Sequence, residues 1–236
     1  MDKLYIEPIA HIKTDFPEKF GVPRQSGRVN SLTAKIVFTK KYKNKDALRG
    51  IKDFSHVWLI FGFSLCKKTE WTPTVRPPRL GGNEKVGVFA SRSPFRPNGL
   101  GLSSVKLIDL EENDKDGCVL IVSGADLVDG TPIYDIKPYL PFTDCHEDAI
   151  GGYADTHKDY HVEVIFPDDL LSLISDDKRK SIIECLKEDP RPSYQNDQRE
   201  YGMKFDKYNV KFFVKENVLK VTAVEILERT NGYKKK

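Results

Sequence analysis

No stretch of this chain is apolar for long enough to cross a bilayer. The longest such run, Val57 to Leu65, is broken by Gly62 and Ser64, whereas a spanning helix needs about 20 apolar residues. The amino-terminal MDKLYIEPIA has no apolar h-region and no small-residue cleavage site, so a cytoplasmic protein without a signal peptide is expected. Cysteine is sparse: Cys66, Cys118, Cys145 and Cys185 are scattered, and none stands at C-x-x-C spacing. That argues for reduced, packed thiols and against a disulfide framework or a cysteine zinc site. His157 and His161 lie four residues apart but have no third ligand at a useful spacing, so no metal is expected. A Walker motif and H-E-x-x-H are both missing. Gly99 to Ser104 (GLGLSS) lacks the third glycine of a dinucleotide fingerprint and precedes a strand where a Rossmann turn would follow one.

What remains is a chain of 236 residues, 39% apolar and 31% charged. It is globular and large enough for one sizeable core, or for a core with a smaller second lobe. The net charge is only +3, but its distribution is uneven. Trp71 to Asn98 carries Arg76, Arg79, Lys85, Arg92 and Arg96 against Glu84 alone. A local basic surface of this kind suits an anionic partner.

Strands are expected at Leu4 to Ile12, Leu32 to Phe38, His56 to Phe63 and Val86 to Ala90, from alternation and from aromatic and β-branched content. Leu102 to Glu111 and Val119 to Ser123 read as a hairpin about Asn113 to Gly117, and Ile133 to Ile136 as a short strand. The character changes near Gly151. Pro167 to Leu186 has helical periodicity with a break near Ser175, and Val210 to Val214 with Leu219 to Ile226 forms a last hairpin about Glu216-Asn217. The expected class is therefore mainly β, with a β-barrel or folded-over sheet over residues 1–150 and a smaller α+β lobe over 151–236.

Four stiff polar loops stand out: GVPRQSG, TVRPPRLGG, ASRSPFRPNG and DLVDGTPIYDIKPY. Turns favour Pro, Gly, Asn and Asp for conformational reasons alone. Prolines also lower the entropy lost on ordering, so such loops can hold arginine forks in place before a ligand arrives. Asp126, Asp129 and Asp135, with Thr131, Tyr134 and Tyr139 nearby, are either turn formers or ligand contacts; residue type alone leaves both open.

Taken together, these loops resemble the TrmO (TsaA-like) family of S-adenosylmethionine-dependent tRNA methyltransferases. The likeness runs in order through PIAHIKTDF, EKFGVPRQSGRV, RGIKDFSHVW, WTPTVRPPRLGGN, GVFASRSPFRPNGLGLSSVKL, DLVDGTPIYDIKPYLPF and EDPRPSY. The resemblance implies a β-barrel cofactor domain unlike Rossmann methyltransferases, a homodimer, and N6-threonylcarbamoyladenosine beside the tRNA anticodon as substrate. Matched motif by motif, it implies cofactor contacts at Arg24, Gln25, Ser26, Gly27, Ser64, Leu65, Arg92, Leu102, Leu127, Val128, Asp129 and Gly130. Many members carry a histidine and a polar residue where this chain has Ser64 and Leu65, so a contact through backbone atoms is expected there. Asp129, Asp135 and Tyr139 are the candidate proton acceptors, and no metal is required. Arg76, Arg79, Arg96, Arg191 and Tyr194, with the Lys234–Lys236 tail, are the candidate tRNA contacts. A non-catalytic RNA-binding adaptor and a methyltransferase with another acceptor are the alternatives.

Overall fold

Alternation sets the first layer of the architecture. In β2 (Thr33–Phe38) Ala34, Ile36 and Phe38 point inward while Thr33 and Lys35 face solvent, the period-two signature of a half-buried strand. The computed structural model describes residues 4–66, 71–77, 84–113, 115–191 and 199–228. Within it β1 (Ala10–Lys13), β2, β3 (His56–Gly62), β6 (Leu100–Asn113), β7 (Gly117–Ser123) and β8 (Pro132–Pro138) close into a barrel of order β1-β2-β7-β6-β3-β8. Ala10, Ile12, Ile36, Val57, Leu59, Leu120, Val122 and Ile133 fill it and are almost wholly excluded from water. Full burial of one such aliphatic side chain contributes about 1.5–3 kcal/mol. The fold class read from the sequence, a β-barrel with a smaller α+β lobe, is the one observed.

Two local features shape one rim of the barrel. Ile60 pairs with Asp135 but Phe61 pairs with Ile133, so Tyr134 is the extra residue of a β-bulge. Its ring lies on Gly62, where a Cβ would come within 2.8 Å of it. Gly101 is held open in the same way: a Cβ there would meet the Phe61 ring at 2.2 Å. Between β3 and β6 the chain makes a small flap in which β4 (Thr74–Val75) pairs with β5 (Val86–Gly87).

The second lobe is a sheet of order β10-β11-β12-β9. Its strands are β9 (Glu163–Ile165), β10 (Tyr201–Phe205), β11 (Tyr208–Lys215) and β12 (Val218–Ile226). Glu216 and Asn217 both take positive φ, which matches the right-handed twist of the β11–β12 hairpin. Helices α2 (Asp168–Ser172) and α3 (Asp176–Lys187) are separated at Ser175, as the periodicity predicts. α3 buries Ile182, Cys185 and Leu186. A short helix, α1 (Pro141–Asp144), ends the barrel segment.

The second core is not built from the second lobe alone. Phe16, Val29 and Leu32 belong to it, and Phe20 and Val22 pack against it. Phe16 meets Phe205 edge-on at 5.2 Å, and Lys178 Nζ lies 2.7 Å from Asp15 Oδ2. The segment between β1 and β2 is thereby fixed to both halves of the chain.

Three expectations need correction. The first strand begins at Ala10, not Leu4: Pro8 lacks an amide donor, and Leu4 and Tyr5 stand in solvent. Val86 to Ala90 is a strand only at Val86–Gly87 and then turns as a 3-10 helix over Val88–Ala90. Strands β9 and β10 had no separate signal; β9 gains its pairing from β12, distant in sequence, while β10 pairs with the adjacent β11 across the Asp206–Lys207 turn.

Candidate active site

Residues 23–28, the PRQSGR loop, form the junction of the rim. The Gly27 amide donates to the Gly124 carbonyl at 2.9 Å. An Arg92 guanidinium nitrogen donates to Gln25 Oε1, which joins this loop to the ASRSPFRPNG loop. On the opposite side Arg24 Nη2 donates to the Arg191 carbonyl at 2.5 Å. Arg28 forks onto Glu188 at 2.9 and 3.1 Å and donates to the Lys158 carbonyl at 2.6 Å. The loop is thus held by the barrel, by a neighbouring arginine loop and by the second lobe.

At the centre of this junction lies Asp126. Its Oδ1 accepts from Ser103 Oγ on β6 at 2.7 Å. Burial pushes its carboxyl above the ordinary value of 3.8, against the pull of the Ser103 hydroxyl, the Arg92 charge and the Ser26 amide. Withdrawal of a carboxylate from water disfavours its charged form, and hydrogen bonds and a nearby cation restore it in part. Asp126 therefore ties the barrel wall, the PRQSGR loop and Arg92 to one point.

The turn Leu127–Gly130 continues from it. Leu127 is buried in the barrel core, while Asp129 and Gly130 are exposed. The Asp129 amide donates to the Phe16 carbonyl and the Gly130 amide to the Ile12 carbonyl, both at 2.8 Å. Asp129 Oδ1 accepts from the Thr14 amide at 3.0 Å, and Thr14 Oγ1 donates to the Leu127 carbonyl at 3.0 Å. These four bonds fix the turn before any ligand arrives. Ser64 and Leu65 follow β3, where the Phe63 amide donates to the Gly99 carbonyl and Cys66 Sγ to the Pro94 carbonyl. The Leu65 carbonyl itself accepts from Lys19 Nζ at 2.9 Å. Leu102, beside Ser103, is 55% exposed and Leu65 43%.

The structure thus brings Arg24, Gln25, Ser26, Gly27, Arg92 and Leu127–Gly130 together, with Ser64, Leu65 and Leu102 on the adjoining strand ends. A lining that mixes exposed leucines, amides, a guanidinium and carboxylates fits an amphiphilic, cationic nucleoside such as S-adenosylmethionine. Arg96 is half-buried in the same loop as Arg92 and donates to the Ser91 carbonyl at 2.9 Å.

Other candidates lie elsewhere. Tyr139 stands at the far end of β8 from Asp129. The seven residues of Pro132–Pro138 separate them, and at about 3.3 Å per residue that is roughly 20 Å. Tyr139 packs there against Trp58 and His56, so it does not share the cluster within one chain. Asp135 is mid-strand and paired with Lys137 at 3.2 Å. Arg191 is 9% exposed, and its guanidinium is engaged by Asp189 through Nε–Oδ1 and Nη2–Oδ2, each 2.9 Å. A guanidinium so engaged braces its own segment, whose carbonyl holds Arg24. Arg76 is exposed on the flap. Arg79, Tyr194 and Lys234–Lys236 lie outside the described residues. Asp126 is legible in the sequence only as one of several acids in a turn, and the bulge that turns Tyr134 onto Gly62 has no sequence period.

A cleft of about 240 Å³ is lined by Lys13, Asp15, Lys35, Ile121 and Lys178 among others. Thr14, on its edge, is the residue that also holds the Asp129 turn.

Comparison with known proteins identifies the family. A family model described as the tRNA-methyltransferase O N-terminal domain matches residues 11–145, and one described as the TrmO C-terminal domain matches residues 159–227. A protein of Escherichia coli (strain K12) named tRNA (adenine(37)-N6)-methyltransferase is 40% identical over 234 residues, covering 95% of this chain and 99% of its own. A Pseudomonas aeruginosa protein named putative S-adenosylmethionine-dependent methyltransferase RcsF is 37% identical over 216 residues, covering 84% and 87%. The crystal structure of TrmO from Pseudomonas aeruginosa superposes with a TM-score of 0.74 at 30% identity, covering 95% of this chain and all of that one.

Proposed function

The chain belongs to the TrmO family of S-adenosylmethionine-dependent tRNA (adenine 37-N6)-methyltransferases, and on that premise we propose that the nucleoside it methylates is N6-threonylcarbamoyladenosine. The observation that carries the reading is the convergence of Gln25, Arg92, Asp126 and Asp129 on one rim of the barrel.

The acceptor nitrogen belongs to a urea-like group and is a poor nucleophile. S-adenosylmethionine supplies a methyl group already activated on a sulfonium. What the chain must supply is alignment, and a near-attack arrangement can account for roughly 7–11 kcal/mol of a barrier. Pinned loops are suited to that role. Gln25, Ser26 and Gly27 offer polar groups on a loop fixed at both ends, and Leu102 and Leu65 offer apolar surface for the nucleoside. Arg92 has donors beyond the one given to Gln25 and can fork a carboxylate. Asp129 has one oxygen engaged by Thr14 and is the carboxylate we assign to take the proton from the nitrogen as the new bond forms. Arg96 is assigned to the threonyl carboxylate. Residues 1–150 are assigned the chemistry, and residues 151–236 brace the PRQSGR loop through Arg28–Glu188 and the Arg191 carbonyl. The protein acts as a homodimer on this reading.

The test is methylation of tRNA from a strain lacking this activity, read by mass spectrometry. A gain of one methyl on threonylcarbamoyladenosine is expected, with none on tRNA that carries plain adenosine. Equal methylation of both would overturn the substrate assignment. For Arg96→Ala, the preference for the threonylcarbamoyl substrate over its decarboxylated analogue should shrink; an unchanged preference removes Arg96 from that role.

A further inference from the structure

We propose that Trp71 and Phe89 form a base-stacking platform at the mouth of the site, on which an unpaired nucleobase of the RNA rests while its neighbour is methylated. The proposal rests on the tRNA reading above and adds to it a second, non-reacting base subsite.

Large aromatic side chains normally bury most of their surface. Trp71 is 51% exposed and Phe89 73% exposed, yet the two rings stack on each other with centroids 6.4 Å apart and planes 27° from parallel. They are held there by the backbone. The Val88 amide donates to the Pro73 carbonyl at 2.9 Å, and the Thr74–Gly87 and Val75–Val86 pairs tie the two sides of the flap together. Phe89 lies within the 3-10 turn Val88–Ala90, which closes through the Ser91 amide on the Val88 carbonyl, and Arg92, which reaches Gln25, is three residues on. The aromatic pair is therefore tied to the flap backbone, open to solvent and joined by a short tether to the cofactor rim.

Charge complementarity selects nucleic acid as the occupant. Among the described residues of the flap and its loop, Arg76, Lys85, Arg92 and Arg96 face Glu84 alone. Phe142 is just as exposed, at 87%, but its neighbours are Asp144, Glu147 and Asp148, which would repel a phosphate chain. Basic side chains beside exposed aromatic faces are the arrangement that binds single-stranded nucleic acid, because every base has a π-face while the phosphates meet the cations. Loop nucleotides are already unstacked or readily splayed, so they can use such a platform where a duplex cannot.

The measurement is tryptophan fluorescence of the full-length protein during titration with an unmodified anticodon stem–loop RNA, with a fully paired RNA duplex as control. Stacking on Trp71 should quench emission with the loop RNA and not with the duplex, and Trp71→Phe should abolish the quench while keeping most of the affinity. Trp71→Ala and Phe89→Ala should each weaken loop binding by between about 5- and 150-fold, with S-adenosylmethionine binding by calorimetry unchanged. Loop affinity within twofold of the parent in both alanine variants overturns the proposal. So does a loss of self-association by sedimentation in those variants with RNA affinity retained, which would assign the pair to a protein interface. If both alanine variants methylate tRNA as efficiently as the parent, the platform fails and the enzymatic reading stands. If quenching and its loss on substitution are seen but no tRNA is methylated, the enzymatic reading fails and the platform stands.

Discussion

Arg191→Ala separates a structural brace from an RNA contact. The Arg191 fork and the Asp189 carboxylate have side chains only 10% and 9% exposed, and they meet through two parallel bonds of 2.9 Å. Truncation leaves Asp189 buried without its counter-charge. Breaking a buried pair from one side costs about 3–5 kcal/mol. Asp189 keeps the Tyr160 hydroxyl at 3.0 Å and the amide of residue 191 at 3.3 Å, so the lower end, about 3 kcal/mol, is expected. For a chain of this size that lowers the melting midpoint by about 6–12 °C. Arg191→Lys should fall between, because an ammonium cannot reproduce the fork. The Arg191 carbonyl survives either change, but it is the acceptor for Arg24, so weaker cofactor binding should follow as its segment loosens. The paired assay is tRNA affinity against salt. A phosphate contact contributes roughly −0.7 to the slope of log affinity against log salt for a single strand, and a brace contributes nothing. A melting midpoint within about 1 °C of the parent, together with a slope shallower by about 0.7, would refute the reasoning.

Other predictions follow the same contacts. Asp126 has a raised folded value, so the folded state holds its proton more tightly than the unfolded chain, and this group's contribution to stability declines as pH rises from 3.8 through the folded value. Asp126→Asn should flatten that part of the stability profile, read as melting midpoint against pH; an identical profile in both proteins would disprove it. Arg28→Ala strands Glu188, whose side chain is 6% exposed, with His161 as its remaining partner at 3.1 Å. A loss of about 3 kcal/mol, the lower end for a buried pair broken from one side, and weaker S-adenosylmethionine binding by calorimetry are expected, with undiminished affinity the contrary result. Gly101→Ala forces a methyl against the Phe61 ring, at a cost of about 1–3 kcal/mol in denaturant titration. Phe61→Leu in the same chain should recover part of that loss, and strict additivity of the two changes would contradict the contact.

Much of the β architecture was legible because strands bury alternate residues. β2, β3 and the β6–β7 hairpin fall where alternation and turn residues put them, and the break between α2 and α3 falls at Ser175. Those signals are local: each depends on residues two to four positions apart. The four proline- and glycine-punctuated loops were legible for the same reason, and so was the uneven placement of arginine.

What each loop touches was decided only in three dimensions. Arg191 and Arg92 are the same side chain in similarly stiff loops, yet one is closed on Asp189 and the other is open at the rim. Burial and partner, not residue type, make that difference. Asp126 stood out no more than Asp135 in the sequence, but the fold puts Ser103, Ser26 and Arg92 around the first, while the second is met by the Ile136 amide and Lys137. Tyr134 lies on β8 and Tyr139 just past its end, five positions on; a single bulged residue brings Tyr134 onto Gly62 while Tyr139 packs at the opposite end. The sequence alone determined which segments extend and which turn, since sterics and alternation act between near neighbours. Which groups are left for a ligand depended on burial and on contacts that sterics between near neighbours do not set, such as Arg92 with Gln25 and Arg28 with Glu188.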